Sequence, residues 1–85
     1  MQKLNEMTEK EIEVKTQLLM EILGVNIKKQ RIKQKMSRTE LAFYAKTTES
    51  RICDIENGKK AGISVYSIVK LSEALEISID SLFCK

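Results

Sequence analysis

Histidine, proline and tryptophan are absent from this 85-residue chain, while glycine occurs three times and cysteine twice. Without an imidazole there is nothing to complete a zinc set, a Ser-His pair or a Cys-His pair, and Cys53 and Cys84 show neither CxxC nor metal-ligand spacing. Zinc binding and most hydrolytic chemistry are therefore disfavoured. A phosphate-cradling glycine loop and a paired-carboxylate cluster are missing too, so nothing anchors an enzyme reading, and no cofactor or metal is expected. No basic neighbour pattern marks either thiol as a low-pKa redox sensor. Apolar runs such as Leu18–Met20 and Ile22–Val25 fall far short of the roughly 20 residues that span a bilayer. Residues 1–25 carry five Glu and lack the basic start and small-residue cleavage site of a signal peptide. The expected location is the cytoplasm, with no membrane contact. Helix breakers are confined to Gly24 and the stretch Asn57–Gly62, the one clear loop.

What the chain does contain is ordinary for one soluble domain: 42% hydrophobic and 32% charged residues. Apolar residues recur at spacings of three and four rather than two, which predicts an all-α fold. The net charge of +3 is unevenly spread. Residues 1–25 carry −2 and residues 61–85 carry −1, whereas residues 26–60 hold ten Lys and Arg against four acids, or +6. A polyanion suits such a segment, because each neutralised phosphate releases condensed counterions. A merely solvated charged face is the alternative reading of the same residues.

Helix starts are well marked. Thr8-x-x-Glu11 fits a capping box with Met7 and Ile12 placed as a staple, so a helix begins near residue 9 and either continues to about Lys35 or breaks at Gly24 into a second helix. Ser37 with Glu40 repeats the box for a short helix from Arg38 to about Ala45. Thr48 opens a helix from Glu49 to Glu56, stopped by Asn57-Gly58. Ser64 caps a helix with Val65, Ile68, Val69, Ser72 and Leu75 inward, and Ser78 caps a last turn.

The two short helices 38–45 and 49–56 are separated by about three residues, Lys46, Thr47 and Thr48, which forces a steep crossing of the helix-turn-helix kind. Leu41, Ala42, Ala45, Ile52 and Ile55 point inward. Glu49, Ser50, Arg51 and Asp54 point outward and are all able to hydrogen-bond base edges. At these residues the chain resembles the XRE family of Cro and phage-repressor helix-turn-helix domains. Ser37-Arg-Thr-Glu-Leu-Ala42 and Arg51-Ile-Cys-Asp-Ile-Glu-Asn-Gly-Lys59 carry the resemblance, and it continues through Leu71–Phe83.

The resemblance implies a five-helix, phage-repressor-like bundle over residues 23–85, preceded here by a helical extension over residues 1–22. It also implies a homodimer on a near-palindromic operator in double-stranded DNA, with the helix of residues 49–56 in the major groove. Position by position, Thr48, Glu49, Ser50, Arg51 and Asp54 would contact bases, and Arg38, Asn57 and Lys59 would contact phosphates. Arg51 is the best candidate for direct readout, since its fork pairs with guanine O6 and N7. The family often has glutamine where this chain has Glu49, and glycine where it has Lys46. Arg31, four residues after Ile27 on an inward face, is expected to have a carboxylate partner, and the resemblance supplies Glu56; two simply solvated side chains are the alternative. A surplus of apolar residues at the end, Ile77, Ile79, Leu82 and Phe83, favours residues 64–83 as the dimer surface. The alternative function is a protein-interaction module or antitoxin-type partner that docks another protein through the N-terminal helix.

Overall fold

Five hydroxyl side chains open the five helices of the computed structural model, which describes residues 4–59 and 63–85. Lys60–Gly62, part of the loop expected from the sequence, lie outside the described residues. Thr8, Ser37, Thr48, Ser64 and Ser78 each accept a hydrogen bond from the backbone N–H three residues on, at 3.0–3.2 Å. They start α1 (Glu9–Lys33), α2 (Arg38–Tyr44), α3 (Glu49–Glu56), α4 (Val65–Leu75) and α5 (Ile79–Leu82). At Ser37 the box is reciprocal, with the Ser37 N–H donating back to Glu40 Oε1 at 2.9 Å. A 3-10 turn over Leu4–Glu6 precedes α1, and no strand occurs among the described residues.

Four helices also share one ending. Met36, Thr47, Lys59 and Ile77 each donate their N–H to the carbonyl five residues back, at 2.9–3.0 Å, the long bond of a Schellman motif. The residue before each of them sits in the left-handed region: Lys35 (φ 59°), Lys46 (φ 53°), Gly58 (φ 68°) and Glu76 (φ 55°). Lys46 therefore takes the conformation that glycine adopts without strain.

α1 is one helix from Glu9 to Lys33, and no break occurs at Gly24. Gly24 serves a close approach instead. A Cβ built there would run into the carbonyl oxygen of Ile55 and lie 2.8 Å from that of Glu56, so the missing side chain lets α1 lie directly against the end of α3. Polar side chains along α1 and at its C-cap tie down other helix ends: Gln17 Nε2 donates to Gly58 O (2.9 Å), and Nε2 of the C-cap residue Gln34 to Leu75 O (2.7 Å). Asn26 Nδ2 holds both Leu82 O (2.8 Å) and Cys84 O (2.7 Å). Carbonyls that would otherwise be left open at the ends of α3, α4 and α5 are thus satisfied from a single helix and its C-cap.

The core between these elements is formed by Leu23, Ile27, Leu41, Ile52, Ile55, Leu71, Leu75 and Leu82, all almost fully buried. Two expectations about α4 and α5 are corrected. Val65 and Val69, expected inward, are 74% and 38% exposed, while Ser72 and Leu75 are buried as expected and α4 also turns Ser67 and Leu71 into the core. The serines tolerate burial because their hydroxyls are already bonded: Ser72 Oγ donates to Val69 O (2.9 Å), and Ser67 pairs with Ser64 (3.1 Å). At the end of the chain Leu82 is fully buried and Ile77 and Phe83 pack on the core, so of the four apolar residues there only Ile79 is substantially exposed.

Candidate nucleic-acid interface

The inner side of α3 is anchored by apolar burial and by charge. Ile52 and Ile55 fill the core, and Glu56, whose side chain is 0% exposed, ends the helix with its carboxylate between two arginines. Arg31 Nε donates to Oε2 at 2.6 Å and its Nη2 to Oε1 at 3.1 Å, a bidentate pair. Arg31 Nη1 reaches Met36 O at 2.9 Å, so the same side chain also fixes the link between α1 and α2. Arg38, the first residue of α2, donates its Nε to Oε1 at 3.0 Å. Among the described residues both ion pairs fall on Glu56.

This second partner was not legible from sequence. The sequence reading pairs Glu56 with Arg31 alone and assigns Arg38 to phosphate, although a carboxylate has enough lone pairs to accept from both. Arg38 remains 32% exposed at its side chain. The hydrogen bond donated to Glu56 raises the Arg38 pKa above the ordinary arginine value, so this guanidinium carries its charge at every accessible pH. Buried ion pairs of this kind orient elements more than they add net stability. Here they hold α1, α2 and the end of α3 in one relation.

The outer side of α3 is polar. Thr48, Glu49 and Ser50 are exposed, and Arg51 and Asp54 are half-buried on the same short helix. Thr48 uses an oxygen lone pair to cap Arg51 N at 3.2 Å, which leaves its hydroxyl proton able to donate. Arg51 makes no ion pair with Asp54, so its fork is not drawn aside by the acid three residues on. Glu49 is engaged: its Oε2 accepts from Thr39 Oγ1 at 2.9 Å, bridging the starts of α2 and α3. Nothing in the ten-residue spacing of Thr39 and Glu49 signals that contact, because it depends on how the two helices cross. Asn57 and Lys59 follow α3 and are exposed, with Asn57 Nδ2 lying 3.5 Å from the half-buried Cys53 Sγ. The turn between the helices, Ala45 to Thr48, is closed by Thr47 N bonding Ala42 O (2.9 Å) and by Lys70 Nζ donating to Lys46 O (3.1 Å).

A short α2 crossing an α3 that buries one face and offers the other as a polar surface defines a helix-turn-helix protein. The sequence pattern of the helix-turn-helix family matches residues 27–82, and the chain belongs to that family: it is an XRE-type, DNA-binding transcription regulator. Among solved structures it is similar to the restriction-modification controller protein C.AhdI from Aeromonas hydrophila. That match has a TM-score of 0.71 and 28% identity, over 75% of this chain and 96% of that one. It also shares its fold with the hypothetical transcription factor NHTF from Neisseria (TM-score 0.73, 23% identity, 78% of this chain and 75% of that one). No curated protein matches. No helix among the described residues is long and apolar enough to cross a membrane.

Proposed function

We propose that this regulator binds a near-palindromic operator as a homodimer and acts as a repressor or controller. In this reading α3 lies in the major groove. Arg51 reads guanine, Thr48, Ser50 and Asp54 complete the base contacts, and Glu49 acts at the rim while bonded to Thr39. Arg38, Asn57 and Lys59 hold phosphates. The observation that carries the reading is the two-sidedness of α3, buried and ion-anchored through Ile52, Ile55 and Glu56 and polar through residues 48–54. A reading helix needs that rigidity, because base-edge discrimination depends on side chains held in register with the groove. The likeness to a controller protein supports the controller role. For the dimer surface, Val65, Val69 and Ile79 are the apolar residues that residues 64–83 leave exposed, with Tyr66 beside them.

Selection of bound fragments from random duplexes tests the reading. Enrichment of two inverted half-sites, centred about 34 Å or one helical turn apart, is expected. Recovery of unrelated fragments, or of a single half-site bound by one copy, would overturn it.

A further inference from the structure

Val14, Leu18 and Val25 of α1 precede the segment matched to the family, which begins at residue 27, and there the molecule leaves apolar surface uncovered. α1 carries two apolar stripes. The inner one, Met20, Leu23 and Ile27, lies under the bundle. The outer one places an apolar residue at every seventh position, Leu18, Val25 and Ile32, with Val14 one turn before; these are 48%, 60%, 55% and 61% exposed. At 3.6 residues per turn the four fall within about 40° of arc, turned roughly 160° from the inner stripe. This row supplies one apolar residue per seven, and the alternate positions of the same seam are Val14, Glu21 and Lys28, so a second helix packing alongside would meet apolar residues and charges in alternation.

Charge selects which helix. Before Met20, α1 is acidic, with Glu9, Glu11 and Glu13 against Lys10 and Lys15; after it, Lys28, Lys29 and Lys33 outweigh Glu21, while Arg31 is turned inward to Glu56. A parallel copy would set like ends together, whereas an antiparallel copy sets acidic against basic at both. Glu21 and Lys28 flank the outer stripe on the same side, so an antiparallel pair centred near Val25 brings each Glu21 to the other copy's Lys28. A groove of about 260 Å³ beside Val25, bounded by Leu18, Ile22 and the terminal Cys84 and Lys85, leaves room for a partner's side chains.

We propose that the outer stripe of α1 is a self-association surface that takes α1 of a second copy in antiparallel orientation. The proposal does not rest on the operator reading, and its test uses the full chain without DNA. Sedimentation across a concentration series should show Val25→Glu weakening association by on the order of tenfold or more, because it buries an unpaired carboxylate. Glu21→Lys and Lys28→Glu should each weaken it alone, since both contacts in the pair become repulsive. Their equimolar mixture should restore it, since both contacts become attractive again. All three positions are on the exposed or stripe side of α1, and unchanged helical circular dichroism and melting verify folding. Association indifferent to all three substitutions overturns the proposal and leaves the operator reading untouched, whereas no association at all in the parent chain overturns the proposal and counts against a preformed operator-binding homodimer as well. Loss in the single variants without rescue in the mixture overturns the antiparallel arrangement.

Discussion

Lys46 shows how far one residue departs from local preference. An L-residue in the left-handed region pays about 1–2 kcal/mol, and glycine gives back roughly 0.5–1 kcal/mol of that through its freer unfolded chain. Lys46→Gly should therefore raise the unfolding free energy by about 0.5–1 kcal/mol, since the bond from Lys70 goes to the backbone carbonyl and survives. Urea unfolding that shows a loss would place an unsuspected role on the lysine side chain. Glu56 lies at the other extreme. Its carboxylate is wholly buried and serves Arg31 and Arg38 together, so Glu56→Ala strands a buried guanidinium and should cost about 3–5 kcal/mol. A change below 1 kcal/mol in the same measurement would mean that water reaches the site and compensates.

At the scale of elements, α1 organises the rest. It packs on α3 at Gly24 and, together with its C-cap, supplies Gln17, Asn26 and Gln34 to the ends of α3, α5 and α4. Helix propensity alone says that Gly24→Ala gains about 1 kcal/mol. The geometry says the reverse, because the added methyl meets two backbone carbonyls that cannot swing aside as a side chain would. The expected outcome is a net loss of about 1–3 kcal/mol, read from the denaturation midpoint. A more stable Gly24→Ala variant would show that α1 and α3 separate readily. The turned face of α4 has a related origin. A pattern of apolar residues favours Val65 and Val69, but a buried hydroxyl that is already bonded allows Ser67 to take the inner side beside Leu71, as Ser72 does.

The whole molecule divides its charge so that affinity and specificity can be separated by experiment. In the proposed complex Arg38 and Arg51 do different work. Arg38→Ala should weaken specific and random duplexes by similar factors and reduce the logarithmic salt slope by roughly 0.9 per monomer. Arg51→Ala should cost about 1–3 kcal/mol on the selected operator and little on random DNA. Titrations of both duplexes over a salt series read both effects. Equal losses for Arg51→Ala on the two would reassign it to phosphate, and a salt slope unchanged in Arg38→Ala would reassign Arg38 to holding Glu56 alone.

Local chemistry determined where the helices begin and where α3 ends: five hydroxyl caps, the Ser37–Glu40 box and the Asn57-Gly58 stop act within a few residues of one another, so they are readable along the chain, whereas the left-handed endings at Lys35, Lys46 and Glu76 carry no such signal. The helix-turn-helix itself followed from two short amphipathic segments and a three-residue link. The inward placement of Arg31 was also legible, since a charge on an apolar face demands a partner. Relations between elements were decided only by the tertiary structure. The sharing of Glu56 with Arg38, the Thr39–Glu49 bridge, the buried face of α4 and the role of Gly24 all depend on which surfaces meet, at contacts ten or more residues apart. Glycine within a helix looks like a break when only propensity is weighed. Once α3 lies against it, the absent side chain is what allows one uninterrupted helix to run beneath the reading helix.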